Sequence, residues 1–484
     1  VPAAPNATLT AGNGQVSIAY SPNATGGAAI TAYRLYAGPS AGALTLMGTI
    51  PVASASPYVD TGLTNGVARF YAMSAVNSVG EGPLSVAQSA TPVAGTDNII
   101  ATATGQIATA TSSIANNFTS RRTDYSSPQG SITNLRCIDA SFVFTSGALY
   151  NPSAYTIKRF LEYPAGVFHQ VTWGGSTTKA LGGANPSSAT SDVIISSVTG
   201  APLVIPAATK FWWRTVNVTG AAVNDFPVIV RPASSVALGI DDGNTTIDVG
   251  NSGTISPTST TNTFGPAACI GTVSAANPRA FVIYGDSMTF GQGDTSSVGA
   301  QNASGWVARG LGGNFPMVKA ALGGITAQAY ASLGSGWTNF LARLGYTDVI
   351  CAFGLNDLSQ SSRTPAQLLA DQQALYAQFG SNNLLGSSRI WQPTLTARTT
   401  STDGWNSAAN QTAKTDGTYG QVNSVNASIR AKPSGVFGVI DAADFDMTGR
   451  DTVIHAGPYP CSGDGTHFTS PKAADMGSRL LAVL

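Results

Sequence analysis

Hydrophobic and polar positions along this 484-residue chain fall into three textures. In the first ~95 residues apolar side chains alternate with polar ones in short runs. Gln15–Tyr20 carries Val16, Ile18 and Tyr20 on one face, and Ile30–Tyr36 and Val67–Val76 behave alike. Asn65-Gly66, and Gly80 with Gly82, supply turns, while Pro2, Pro5 and Pro83 guard edges. A period of two between regularly spaced turns predicts the antiparallel strands of a β-sandwich.

Residues 96–275 open on a Ser/Thr/Ala-rich tract, Thr102–Ser113. Six runs then read as strands between Gly, Pro and Asn turns: Ser141–Phe144, Tyr155–Tyr163, Asp192–Ser197, Pro202–Pro206, Phe211–Val218 and Phe226–Val230. No helical period persists, so a second β-sandwich or jelly roll is expected. Aromatics concentrate in it, among them Phe168, Trp173, Phe211, Trp212 and Trp213. Adjacent rings in a strand point to opposite faces, so one of the last three can be exposed and stack on a sugar. The competing and preferred reading puts them in a sandwich core or against a neighbouring module. Asp241-Asp242-Gly243-Asn244 with Asp248 lacks the sixth-position glycine and terminal Glu of an EF-hand, so a hairpin turn is expected there.

From ~276 the period changes. Arg279–Tyr284, Met317–Leu322 and Thr347–Phe353 are short apolar runs, each followed by a turn, with Ile390–Gln392 and Val436–Ile440 as fourth and fifth strands. Helical stretches lie between them. Thr364–Phe379 has an N-cap Thr364, Pro365 at the first helical position and Gly380 past its end, and the last helix starts similarly at Ser470-Pro471. Strands alternating with helices predict a parallel sheet in an α/β domain. The expected division is 1–95, 96–275 and 276–484.

Composition narrows the partners. Lys+Arg and Asp+Glu are 24 each, so net charge is zero, and only 10% of residues are charged. With no basic cluster, the electrostatic footprint of nucleic-acid binding is missing. No apolar run reaches the ~18–20 residues of a membrane span. The chain opens on Val1, so any signal peptide is expected to have been removed or to lie outside this chain. Cys137, Cys269, Cys351 and Cys461 form no CxxC pair, which argues against a thiolate metal site. Cys137 with Cys269 is the disulfide pairing that respects the domain boundaries, and four separate buried thiols are the alternative.

In the first region, Leu63-Thr64-Asn65-Gly66, Phe70-Tyr71-Ala72-Met73-Ser74-Ala75-Val76-Asn77 and Gly80-Glu81-Gly82-Pro83 resemble a fibronectin type III domain over about residues 3–93. Two positions depart from that family: Tyr20 stands where it usually has a core Trp, and Arg69 where its tyrosine corner would be. A spacer or adhesive module is the expected role.

Chemistry gathers at the strand ends of the last region, where open α/β sheets bind ligands. Gly285-Asp286-Ser287-Met288-Thr289-Phe290-Gly291 follows the first strand, Gly323-Gly324-Ile325-Thr326 the second, and Gly354-Leu355-Asn356-Asp357 the third. Asp464-Gly465-Thr466-His467 precedes the last helix. A serine hydroxyl needs a base to take its proton, and histidine does this near neutral pH. A carboxylate must fix the imidazole tautomer, and the developing oxyanion needs preorganised N–H donors. No Gly-x-Ser-x-Gly elbow occurs in this region, which disfavours the α/β-hydrolase fold.

These four blocks, in this order over residues ~278–484, resemble the SGNH (GDSL-type) hydrolase family. The resemblance implies a flavodoxin-like three-layer fold and ester hydrolysis without a cofactor or metal. It makes Ser287 the nucleophile, His467 the general base and Asp464 its orienting acid. The Ser287 amide, the Gly324 amide and the Asn356 side chain would form the oxyanion hole. Lys319 stands where the second block often has Asn. Asp286 and Asp357 are expected to hold loops, His169 to be structural, and His455 to be structural or substrate-contacting.

The expected function is a serine esterase removing small acyl groups, acetyl first among them, from a carbohydrate polymer. Such an enzyme would be secreted or virion-associated, as a bacterial extracellular protein or a phage tail component. The alternatives are a lipid or aryl carboxylesterase, and an adhesive receptor-binding protein whose hydrolase domain only docks.

Overall fold

The structure is a computed structural model that describes all residues except 13, 53–57, 93–95, 104, 146–147, 184–187, 231–241, 258–261, 276 and 295–303. In the first region two antiparallel sheets face each other. Asn6–Gly12, Gln15–Ser21 and Tyr58–Thr61 form one. Thr45–Pro51, Ile30–Gly38, Arg69–Asn77 and Gly80–Glu81 form the other, with Gln88–Ala90 also paired to Arg69–Asn77. The alternating positions named above meet between them in a separate core that includes Val16, Ile18, Tyr33, Leu35, Tyr71 and Met73. Tyr20 packs its ring 4.9 Å from that of Tyr33. Arg69 pairs with Asp60 at 3.1 Å, and the Tyr71 hydroxyl donates to the same carboxylate at 2.8 Å.

The middle region also contains antiparallel sheets. One runs Phe168–Gln170, Tyr155–Glu162, Lys210–Asn217, Thr119–Tyr125 and Gly243–Thr245, with Lys179–Leu181 on Tyr155–Glu162. A second runs Ser188–Thr190, Ile132–Ala140, Ala268–Val273 and Thr96–Ile100. Between the two, Arg159 ion-pairs with Asp139 and donates to the Cys137 sulfur at 3.4 Å; within the first sheet, Trp213 Nε1 donates to Asp124 at 3.1 Å.

Several expectations change here. Asp192–Ser197 and Pro202–Pro206 are not strands: each contributes an isolated bridge, Ile195 to Pro202 and Ile205 to Ile132. Pro202 and Pro206 lack the N–H that a ladder needs. Phe211, Trp212 and Trp213 are all buried, which fits the preferred core reading and drops the alternative of a ring offered to a sugar from this strand. Trp212 lies under the Arg121 guanidinium, 4.2 Å from its ring centroid. Asp241 lies outside the described residues; Asp242 accepts the Thr123 amide at 2.6 Å, and Asp248 pairs with Lys158. Cys137 and Cys269 are register partners on adjacent strands, yet all four thiols are free and buried.

The last region is built on a parallel sheet. Its order is Gly105–Gln106, Met317–Ala321, Phe281–Gly285, Asp348–Ala352, Arg389–Pro393 and Gly438–Ile440, and every pairing is parallel. The direction of winding reverses at Phe281–Gly285, so right-handed crossovers divide the helices into two groups. Trp306–Leu311 packs on Ser470–Leu481, while Ala327–Ala331 and Val422–Arg430 pack on Pro365–Ser381. Thr364 and Gln367 close a capping box on Pro365–Ser381, which runs through Gly380 to Asn382 rather than stopping before the glycine.

The edge strand Gly105–Gln106 comes from the middle region. One continuous apolar core extends through both regions, from Ile99, Ile100 and Phe144 to Tyr330 and Trp337. Among the described residues no helix is long and apolar enough to cross a membrane.

Candidate active site

The Ser287 loop is set by local chemistry. The fully buried Phe281–Gly285 strand ends in a glycine whose Cβ would sit 2.1 Å from Thr289 Oγ1, so only glycine fits. Asp286 then caps the short Ser287–Phe290 helix, accepting the Met288 amide at 3.0 Å. Gly291 ends that helix at φ 100°, which a residue with a Cβ avoids. This turn holds Ser287 beyond the strand's carboxyl end.

The structure brings Ser287, His467 and Asp464 into one hydrogen-bonded chain. His467 Nε2 is 2.7 Å from Ser287 Oγ, and His467 Nδ1 is 2.6 Å from Asp464 Oδ2. An ionised Asp464 only accepts, so Nδ1 carries the proton and the Nε2 lone pair faces the serine hydroxyl. Asp464 Oδ1 also accepts the Thr466 and His467 amides, both at 2.9 Å. Partial burial pushes this carboxyl up, but those amides and the imidazole outweigh it and hold it at about 2. Ser462 braces the loop by donating to the His467 carbonyl and accepting the Gly465 amide, each at 2.8 Å.

The second and third blocks lie alongside. A Cβ built on Gly323 would be 3.9 Å from Ser287 Cβ and 3.5 Å from Gln292 Oε1, so Gly323 borders Ser287. Gly324 has φ +76° and open space where its Cβ would be. Asn356 Nδ2 donates to the Ile325 carbonyl at 3.1 Å, which ties it to the Gly324 loop, and its Oδ1 accepts from Gln360 at 2.8 Å. Gln360 thereby fixes which way the amide points and leaves Asn356 one further N–H. Gln292, exposed at the Gly323 side of the serine, was not singled out by the sequence; its proximity depends on the Gly291 turn.

The remaining candidates hold structure. Asp357 accepts the Ala327 amide at 3.0 Å, at the start of the Ala327–Ala331 helix. Burial pushes the carboxyls of Asp286 and Asp357 up to about 7 and about 6. Lys319 donates to the Phe290 carbonyl at 3.1 Å and to Ser304 Oγ at 3.0 Å. His169 accepts the Ser197 amide at 3.0 Å and donates to the Tyr163 carbonyl at 2.6 Å, in the middle region. His455 is buried and paired with Asp446, so it meets no substrate. Cys461 carries the Thr469 amide on its carbonyl at 3.1 Å, and burial pushes its thiol up to about 11.

The chain matches no model of a known protein family, and no curated protein is similar to it. Among solved structures, a family two carbohydrate esterase from Clostridium thermocellum, solved as an active-site mutant, is similar over 78% of this chain and 92% of that one. The identity is 12% and the TM-score 0.31. The same kind of esterase in complex with cellohexaose gives 13% identity over the same shares, again at a TM-score of 0.31. The sixth fibronectin type III domain of a human fibronectin type III domain containing protein covers 19% of this chain and 83% of its own, with 23% identity and a TM-score of 0.17. Likeness at this level leaves the function to the chemistry of the site.

Proposed function

We propose that this chain is a serine esterase of the SGNH (GDSL) type that hydrolyses small acyl esters, acetyl first, on an extracellular or cell-surface polysaccharide. The observation that carries the reading is the unbroken chain from Ser287 Oγ through His467 to Asp464. In the first half-reaction His467 Nε2 takes the serine proton while Oγ bonds to the ester carbonyl carbon. The oxyanion meets the Ser287 and Gly324 amides and the Asn356 amide group. Collapse breaks the ester C–O bond, His467 protonates the leaving alcohol, and the acyl group stays on Ser287. Water then attacks the acyl carbon and gives its proton to His467; the bond to Oγ breaks, His467 returns the proton to the serine, and the carboxylic acid leaves.

Acetyl as the acyl group is part of the same proposal and is decided by the ester-length comparison below. The polymer substrate is supported by the modular build: residues 1–95 as a fibronectin type III-like spacer and 96–275 as a β-rich accessory region ahead of the catalytic unit 276–484. A secreted or virion-associated location belongs to the same reading.

The test compares acetyl with long-chain nitrophenyl esters, and an acetylated polysaccharide with its free sugar. Faster turnover of acetyl esters, with acetate released from the polymer, is expected. A preference for long chains would turn the reading to a lipid esterase. No turnover of any ester, with polymer binding intact, would leave a docking protein.

A further inference from the structure

Behind the Ser287–His467–Asp464 chain lies a second histidine–carboxylate pair that the reaction does not use. His455 is fully buried, and its Nδ1 lies 2.9 and 3.0 Å from the two Asp446 oxygens. Asp446 ends the Ala442–Asp446 helix, accepts the Ala397 amide at 2.8 Å, and has Lys472 Nζ at 3.5 Å. The other ring nitrogen, Nε2, is 3.3 Å from the Gly465 carbonyl.

That carbonyl belongs to the turn carrying both Asp464 and His467. It also accepts the Thr399 amide at 2.8 Å. The turn has no slack, since Gly465 sits at φ +78° and a Cβ there would be 1.7 Å from the Thr399 carbonyl oxygen. Gln411 clamps His455 by its backbone, accepting from its N–H and donating to its carbonyl, each at 3.2 Å. Phe468 meets the imidazole edge-on, with ring centroids 5.9 Å apart. A side chain that merely fills space in such a core would be apolar, because each buried polar atom must be satisfied. Here both ring nitrogens are aimed at acceptors, one on a helix end and one on the catalytic turn.

We infer that His455 is a positioning residue: as an imidazolium, the form with an N–H on each ring nitrogen, it donates through Nδ1 to Asp446 and through Nε2 to the Gly465 carbonyl, and so fixes the turn that delivers Asp464 to His467. The inference rests on the esterase reading for its effect on rate, but the bracing itself is measurable without a substrate. A displacement of about 1 Å in a catalytic group costs on the order of 100-fold in rate, which sets the scale.

The experiment compares wild type, His455→Phe and His455→Gln in the full chain. Phenylalanine keeps a ring and loses both polar contacts, while the glutamine amide can place an N–H near the lost Nε2. His455→Phe is expected to lose ~10–100-fold in kcat with KM within ~2-fold, and His455→Gln to recover most of that loss. Amide exchange over residues 462–468 should quicken in the phenylalanine variant and not in the glutamine variant, at similar Tm. If His455→Phe does not fold, Asp446→Asn takes its place, with lower kcat and faster exchange of the same turn expected. Unchanged kcat and exchange, or losses in both His455 variants that simply follow Tm, would overturn the inference. A wild type inactive on every ester would instead sink the esterase reading, and the exchange of the turn would still decide the role of His455.

Discussion

The two β-rich regions ahead of the α/β region are built from the same kind of strand and relate to it differently. The first closes on its own core around Val16, Leu35 and Met73. The second lends the strand Gly105–Gln106 to the edge of the parallel sheet. It also drives Phe142 and Phe144 against Phe340, Tyr330 and Trp337, at ring-centroid distances of 5.9, 5.4 and 5.1 Å. Similar strand patterns therefore make an appendage in one case and part of the α/β body in the other. What differs is where the second face of each sheet finds its partner.

Deletion breaks this comparison most sharply. A chain starting at about residue 96 should keep the unfolding midpoint of the remainder within ~3 °C, because the first region's core is its own. A chain starting at about residue 276 should be insoluble, since it bares the apolar face that Phe144 and its neighbours cover. Equal behaviour of the two truncations in a thermal melt would contradict the comparison. Point substitutions refine it: Phe144→Ala should destabilise the body by ~3–5 kcal/mol, and Met73→Ala only the first region, by ~2–5 kcal/mol. Calorimetry should show each in a different transition.

A smaller effect comes from acid. Asp286 and Asp357 have folded-state values of about 7 and about 6, raised by burial. Their unfolded values lie near ~3.9, so between about pH 4 and 7 the folded state binds more protons than the unfolded one. Through these two groups stability falls as pH rises across that window and is recovered on acidification. Asp286→Asn, which keeps an oxygen for the Met288 amide, should flatten the Tm-versus-pH curve of the body while leaving that of the first region alone. The smallest change expected is Thr364→Ala, which loses a capping box and ~0.5–2 kcal/mol from the body.

The sequence carried the parallel sheet well, because buried strands such as Phe281–Gly285 and Asp348–Ala352 read as short apolar runs ending in a turn. The middle region was less legible. Thr119–Tyr125 is buried along its whole length yet contains Arg121, Arg122 and Asp124, and a charged run gives no apolar period. Gly105–Gln106 is too short to show any period at all, so its place in the parallel sheet could only come from the fold. At the site, Ser287, Asp464 and His467 stood out because local spacing carries their chemistry. The Asp446–His455 pair did not, since its meaning depends on the Gly465 carbonyl and on a helix end that the chain brings together only when folded.

Trapping the acyl group tests the central claim most directly. Wild type and Ser287→Ala would be mixed with nitrophenyl acetate, quenched in acid within the first turnover, and digested for mass analysis. The account predicts an added acetyl group, about 42 Da, on the peptide containing Ser287 of the wild type and none on the variant. Turnover of acetyl esters that persists in Ser287→Ala, or an acetyl group found on another residue, would contradict it.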